Sequence, residues 1–528
     1  MGGGDGPNVV LVLVESWDGR VLGCLGDPAL ARVTPNVDAL AGGGVLFTNA
    51  YTSHPVCCPA RANLWSGQYT FRCKSWNNHK GLEPGTPTLF DELRSAGYVL
   101  ASKRGGIGKH DYLSGGHSQQ NRVTAWTGAA NVLLPSYLQP KPVVHRWPSK
   151  RVHAVDWFDL ARAKRFLRNQ KEHGGSPFFL YLSLRAPHPR FRTSRHWLER
   201  VNLEAVRVPP EDELVHPVFH YQRISKAWRH GFDPESVRRT RAIYYAMVAE
   251  TDAMIGELLA ELDALGLRDD TVVAVTSDHG ENNMEHRLFY KMNVYESSAK
   301  IPLVVAGPGV SRGRVVDVPV SLVDLYPTIV EAAGIQARVH ETVVDGYSLW
   351  PLLKSGTGSR RPNFAFSMYT GTASPTSMFM YRRGAWKYVA YPGFRPQLFN
   401  LAEDPDEVRD FSFERPDVVA ELDARLREFV DYPAVHEEWQ AYCREAFRAW
   451  REEVRRRPVR LFEYGARKRR ATYEEVMANT YKGFTDEHAR LIEAWLSGDP
   501  DPLPFGEKLA WPDLTGRETR EPPAPRSS

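Results

Sequence analysis

Residues 8–18 read Asn8-Val-Val-Leu-Val-Leu-Val14-Glu15-Ser16-Trp17-Asp18, six consecutive aliphatic residues that run into a carboxylate. A run of that length without polar alternation is the pattern of a strand covered on both faces of a sheet. Phe178–Leu184, Thr271–Thr276 and Ile301–Ala306 share it. Between them, Arg241–Leu265 places Ile243, Met247, Met254, Leu258 and Leu262 mostly at four-residue steps among acidic residues, the buried stripe of a helix. Strands alternating with helices predict an α/β fold, a large sandwich around a mostly parallel mixed sheet.

In such sheets ligands collect beyond the carboxyl ends of the strands. The residues found there are Glu15 and Asp18, then Pro187-His188-Pro189, then Ser277-Asp278-His279-Gly280. Acids and histidines recurring at strand ends point to a metal-assisted hydrolase.

The large unit is expected over 1–360. Residues 354–375, rich in Ser, Gly, Arg and Thr, read as a connector. Strand-like Met378–Arg382 and Trp386–Tyr391 then open a smaller α+β subdomain over 376–440. Pro416–Tyr432 and Trp439–Glu453 read as helices, a helical extension follows over 441–498, and a Pro- and Gly-rich tail over 499–528 is expected to be loosely held.

A formal charge of +4 on 528 residues gives no basic excess that would make nucleic acid a partner. Five cysteines, two of them adjacent and none in a C-x-x-C pair, form neither a disulfide framework nor a zinc site. No apolar run reaches the ~18 residues that span a bilayer, so no membrane partner is expected. The amino terminus enters the first strand without a basic, then apolar, leader, and no Asn lies in an Asn-x-Ser/Thr sequon. The expected location is cytoplasmic, or periplasmic or secreted if a leader has been removed.

Residues 57–67 read Cys57-Cys58-Pro59-Ala60-Arg61-Ala-Asn-Leu-Trp65-Ser-Gly67. Pro59 suits the first turn of a helix, where the amide it lacks has no partner. A nucleophile just before that helix faces free N–H groups and the positive dipole end, and Arg61 can reach back to it. Two buried cysteines before an ordinary helix also fit these residues. Read as Cys-x-Pro-x-Arg followed six residues later by Gly67, the segment resembles the signature of the sulfatase family. In that family a dedicated enzyme oxidises the first Cys to formylglycine; Ala60 stands where most members carry Ser. The resemblance extends over Pro7–Arg20, Ser75–Leu82, Lys109–Arg122, Ala186–Pro189, Ser277–Glu296 and Leu398–Glu407. In Trp65–Gly67, Ser75–Asn78, Asp111–His117 and Met284–Met292 the chain is most similar to the arylsulfatase K branch, the glucuronate-2-sulfatases.

The resemblance implies a divalent cation, with calcium expected and magnesium or manganese as alternatives, held by Asp278, His279 and the oxygen of a formylglycine at Cys57. Glu15 occupies the leading position where the family has Asp. Asp18 is the fallback ligand, or a turn-former before Gly19. Lys109 and Lys291 are implied to grip the sulfate, and His188 to contact sulfate or the leaving oxygen. The family's further histidine is Asp111 here, which leaves His110 or His117 as the base that releases sulfate, His117 being preferred. In the implied cycle the hydrated formylglycine attacks sulfur and the alcohol leaves with a proton from His188 or Lys291. The expected substrate is a 2-O-sulfated uronate in an acidic oligosaccharide, and the expected maturation partner is a formylglycine-generating enzyme. His79, Lys80 and Arg190 are candidates for binding the substrate carboxylate; each also fits an ordinary surface group. An aryl or alkyl sulfatase, a phosphonate or phosphodiester hydrolase and a silent carbohydrate-binding homologue stand as alternatives.

Overall fold

A computed structural model describes residues 6–102, 106–113, 142–145, 148–225, 231–335, 343–357, 361–461, 469–481 and 485–498. His117 and the tail 499–528 lie outside these residues.

The strands of the large sheet are β1 (Asn8–Glu15), β2 (Val45–Tyr51), β3 (Val99–Leu100), β4 (Gly106–Gly108), β5 (Phe178–Pro187), β6 (Thr271–Ser277), β7 (Lys300–Ala306), β8 (Arg314–Val316) and β9 (Val320–Ser321). Their order is β8-β2-β7-β6-β1-β5-β3, with β9 beside β2 and β4 beside β5. Only β7 runs antiparallel to its neighbours within this sheet, so the sheet is mixed and mostly parallel, as expected. Val10 pairs with Leu180 on one side and Val273 on the other, and Val14 with Leu184 and Ser277. That register brings the carboxyl ends of β1, β5 and β6 to one edge.

Successive side chains of β1 serve two cores. Val10, Val12 and Val14 pack on one face, under α1 (Pro35–Gly42), α4 (Ala154–His173) and α5 (Pro234–Ala264). Val9, Leu11 and Leu13 pack on the other, under α2 (Cys57–Ser66), α3 (Leu89–Ser95) and α6 (Leu325–Ala332). Burial on both faces is why the run contains no polar residue. On α5 the five predicted stripe residues are all buried, and Asp233 caps the helix by accepting from the Ser236 amide.

A second sheet is antiparallel, of β10 (Ala365–Tyr369), β11 (Met378–Arg383), β12 (Trp386–Ala390) and β13 (Gln397–Asn400). It shares a core with α7 (Pro416–Phe429) and α8 (Tyr432–Arg456). Two readings need correction. β10 falls inside the stretch read as connector, because five buried residues flanked by Ser, Gly and Arg carry no periodic signal. The helix expected from Trp439 begins at Tyr432: Asp431 accepts from the Ala434 amide and Pro433 sits in the first turn, signals of a helix start. Among the described residues no helix is long and apolar enough to cross a membrane.

The second sheet also orders the loop before Cys57. The Met368 amide donates to Ser53 O (3.0 Å), and the Thr370 amide to His54 Nε2 (3.2 Å). Burial pushes His54 down to about 3. The unfolded chain therefore binds the His54 proton between about pH 3 and 6.5 while the folded chain does not, and this histidine lowers stability as pH falls through that window. Replacing it (His54→Gln) is expected to flatten the stability–pH slope between pH 4 and 6 by about 1 kcal/mol per pH unit. Urea unfolding at a series of pH values checks this; parallel slopes would rule it out.

Candidate active site

Cys57 opens α2, preceded by extended Val56, and its neighbour Cys58 donates its amide to Asn78 Oδ1 (3.0 Å). The segment holding Asn78 fits against α2 only through Gly81, where a Cβ would come within 2.8 Å of Cys58 Sγ and 2.4 Å of Tyr112 O. The Cys57 thiol donates to Glu15 Oε1 at 3.0 Å and stands 3.4 Å from His279 Nε2. His279 Nδ1 lies 2.9 Å from Gly280 O, so Nδ1 carries the hydrogen and Nε2 turns its lone pair toward Cys57.

Each carboxylate is matched by a cation. Glu15 Oε1 takes Lys109 Nζ (2.6 Å), and Lys109 also meets Asp111 Oδ2 (3.0 Å). Asp278 Oδ2 takes Arg61 through Nε (3.1 Å) and Nη2 (3.0 Å). Arg61 Nη1 donates to Tyr181 OH and Ser183 Oγ, both at 2.8 Å, and Arg61 Nε lies 3.2 Å from Asp111. Across the site Lys291 Nζ donates to His188 Nε2 (2.9 Å), whose Nδ1 is engaged with Pro189 O (2.6 Å).

These contacts set the charge states. Burial alone would raise Glu15, but Lys109, His188, Arg61 and Lys291 together hold it well below the usual carboxylate range. Burial dominates at Asp278 and lifts it to about 6 against the pull of Arg61. Burial, then Glu15, pushes the Cys57 thiol up to about 12. Enclosure, then Lys291, pushes His188 down to about 3, and burial takes His279 well below its ordinary value.

The donor set fits a divalent cation. Ligand atoms of Cys57, Asp278 and His279 lie within 4.8 Å of one another, as do those of Glu15, Cys57 and His188. Two buried carboxylates and an imidazole lone pair thus converge on Cys57, oxygen and nitrogen donors of the kind that hold a divalent cation.

Asp18 stays outside this cluster. Its carboxylate takes Arg20 through Nε (3.0 Å) and Nη2 (2.7 Å), and Arg20 in turn holds Glu285 (2.8 Å). His79 is buried in the turn where Asn77 Oδ1 accepts its amide (2.8 Å), Lys80 pairs with Glu83, and Arg190 is exposed just beyond His188. Tyr181 and Ser183 were not anticipated. They are the alternate-position hydroxyls of the otherwise apolar run Phe178–Leu184, and that pattern was the available signal. Asp111, read only as the occupant of a histidine position, bridges Lys109 and Arg61.

Candidate cation ligands and positive donors gathered around Cys57 suit an enzyme that hydrolyses esters of a strong oxyacid. The sulfatase family model matches residues 7–335, and the model described as N-sulphoglucosamine sulphohydrolase, C-terminal, matches 284–431. The chain belongs to the sulfatase family and is a sulfuric ester hydrolase. It is 40% identical to arylsulfatase K of Danio rerio over 94% of this chain and 95% of that protein. Against arylsulfatase K of Bos taurus the identity is 39%, over 85% and 86%, and against that of Homo sapiens 38%, over 85% and 87%. Among solved structures it is similar to the phosphonate monoester hydrolase of Agrobacterium radiobacter (TM-score 0.65, 25% identity, 80% of this chain and 95% of that one). Its fold is also that of BT1596, a 2-O GAG sulfatase (TM-score 0.64, 20% identity, 81% and 94%). Members of this family generally use formylglycine and a divalent cation.

Proposed function

We propose that this enzyme removes the 2-O-sulfate from a uronate of an acidic oligosaccharide, with a formylglycine made from Cys57 by a generating enzyme and with calcium as its cation. The observation that carries the formylglycine reading is the place of Cys57: it opens α2 in the Cys-x-Pro-x-Arg segment, and ligand atoms of Glu15, Asp278, His279 and His188 gather around its Sγ. A formylglycine at position 57 would supply the attacking oxygen, and a cation held beside it would polarise the sulfate.

Glu15, Asp278 and His279 would hold the cation. Arg61 and Lys109 place fixed positive charge beside the reacting atoms, where charge develops on sulfate oxygens. Because His188 is neutral and accepts from Lys291, the proton for the departing alcohol comes from Lys291, and His188 orients it. The uronate reading is supported by the identity of about 40% with arylsulfatase K and by the Ser75–Asn78 and Met284–Met292 motifs. Arg190 is the cation assigned to the sugar carboxylate. The likeness to a phosphonate monoester hydrolase carries a second reading, the same machinery on a phosphonate ester.

Peptide mass spectrometry across Cys57, on protein from its own cell, is expected to show a loss of about 18 Da. Such protein is expected to lose activity on chelation, to regain it with calcium, and to prefer 2-sulfated uronates over phenyl phosphonate. An unmodified thiol in fully active protein would overturn the mechanism.

A further inference from the structure

Between Asn283 and Met292 six non-glycine residues, Asn283, Met284, His286, Arg287, Tyr290 and Met292, hold φ between 46° and 86°. Side chains rarely adopt that region, and a cluster of them persists only where the surroundings over-determine the backbone. Here they do. Arg241 Nη1 donates to Asn283 O (2.9 Å), Arg223 Nη2 to His286 O (2.6 Å) and Gln222 Nε2 to Met292 O (3.0 Å). The neck of the loop is closed from within: the Asn282 amide donates to Tyr290 O (2.6 Å), and Glu281 Oε1 accepts the amides of Asn283 (3.3 Å) and Tyr290. Glu281 is fully buried, and Lys291, the residue after Tyr290, is the chief charge offsetting its burial. Lys291 leaves this neck to reach His188 Nε2.

We infer that Glu281 is a positioning residue for Lys291: by clamping the Tyr290 amide it fixes the strained backbone from which Lys291 reaches the leaving oxygen. A lysine has four rotatable side-chain bonds, so aiming its ammonium needs a backbone that does not move. The inference rests on Lys291 being the source of the leaving-group proton.

The test uses formylglycine-containing enzyme and two probes that differ in leaving group, 4-nitrophenyl sulfate and phenyl sulfate. A lost proton donor matters more for the poorer leaving group. Lys291→Ala is expected to lose at least about ten-fold more kcat on phenyl than on 4-nitrophenyl sulfate. Glu281→Ala and the bulkier Glu281→Leu, which lack the acceptor, should reproduce that bias. Glu281→Gln, whose Oε1 can still accept both amides, should restore the parent pattern. Equal losses on both probes in the Ala and Leu variants, with the bias intact in Lys291→Ala, would overturn the role of Glu281 and leave Lys291 in place. No bias in Lys291→Ala would overturn both. Failure of Ala and Leu variants alike to fold also overturns the inference, since Glu281 would then hold the architecture and not one lysine.

Discussion

Cys57→Ala is expected to cut sulfate-ester turnover by more than about ten-thousand-fold while the protein still folds. The two halves of that result come from different contacts. Chemically, Cys57 is where Glu15, His279 and Asp278 converge, so nothing else in the site can take the place of its side chain. Structurally, the thiol meets only a Glu15 oxygen that also holds Lys109 and, at 3.4 Å, His279 Nε2, and removing one sulfur from a buried position costs only about 1 kcal/mol. Cys58→Ala is the control. Cys58 is equally buried, but its side chain packs against the Gly81 segment, and the variant should keep activity within a few-fold. Turnover and thermal unfolding of both variants decide the matter. A Cys57→Ala enzyme that kept a tenth of its turnover would remove this residue from the reaction.

The large sheet was legible because it is buried on both faces. Val9–Val14, Phe178–Leu184, Thr271–Thr276 and Ile301–Ala306 each mark a strand by unbroken apolarity, and three of them bring site residues to one edge. Of the candidate residues that cluster, Glu15, His188, Asp278 and His279 were reached through strand ends and Cys57 and Arg61 through the Cys-x-Pro-x-Arg pattern, whereas Lys109 and Lys291 came only from the resemblance to the sulfatase family. What local sequence did not carry is pairing across the fold. Asp18 stands three residues from Glu15 and reads as a fallback ligand, yet Arg20 takes it away through a contact that closes with Glu285, more than 250 positions along the chain. Tyr181 and Ser183 are ordinary strand residues until β5 comes to lie beneath Arg61. β10 was missed for another reason: an edge strand of five residues gains its burial from α7, α8 and its partner β11, none of which a window around residue 367 contains.

Arg61→Lys is the conservative substitution with the largest expected cost. Arg61 is fully buried and spends its planar fork on Asp278, Asp111, Tyr181 and Ser183, with Lys109 O a further acceptor at 3.3 Å. A lysine offers one nitrogen with three donors on a flexible stem, so it cannot replace the two-nitrogen grip on Asp278 and also serve Tyr181 and Ser183, while Asp111 keeps Lys109. Weakening the pairing of the fully buried Asp278 carboxylate costs on the order of 3–5 kcal/mol. The effect reaches the cation as well. Burial already lifts Asp278 to about 6, and Arg61 is the main charge opposing that rise. With the two-nitrogen grip on its Oδ2 lost, Asp278 holds its proton to higher pH, and cation binding should weaken most below neutral pH, where the proton competes for the same oxygens. Urea unfolding should show the stability loss, and calcium titration at pH 6 and 8 should show a larger affinity gap between parent and variant at pH 6. Tyr181→Phe, which removes one acceptor and leaves both carboxylates paired, should cost only about 1 kcal/mol and leave the calcium titrations unchanged. If Arg61→Lys behaved like Tyr181→Phe, the guanidinium would be packing beside the site and not holding its charges in place.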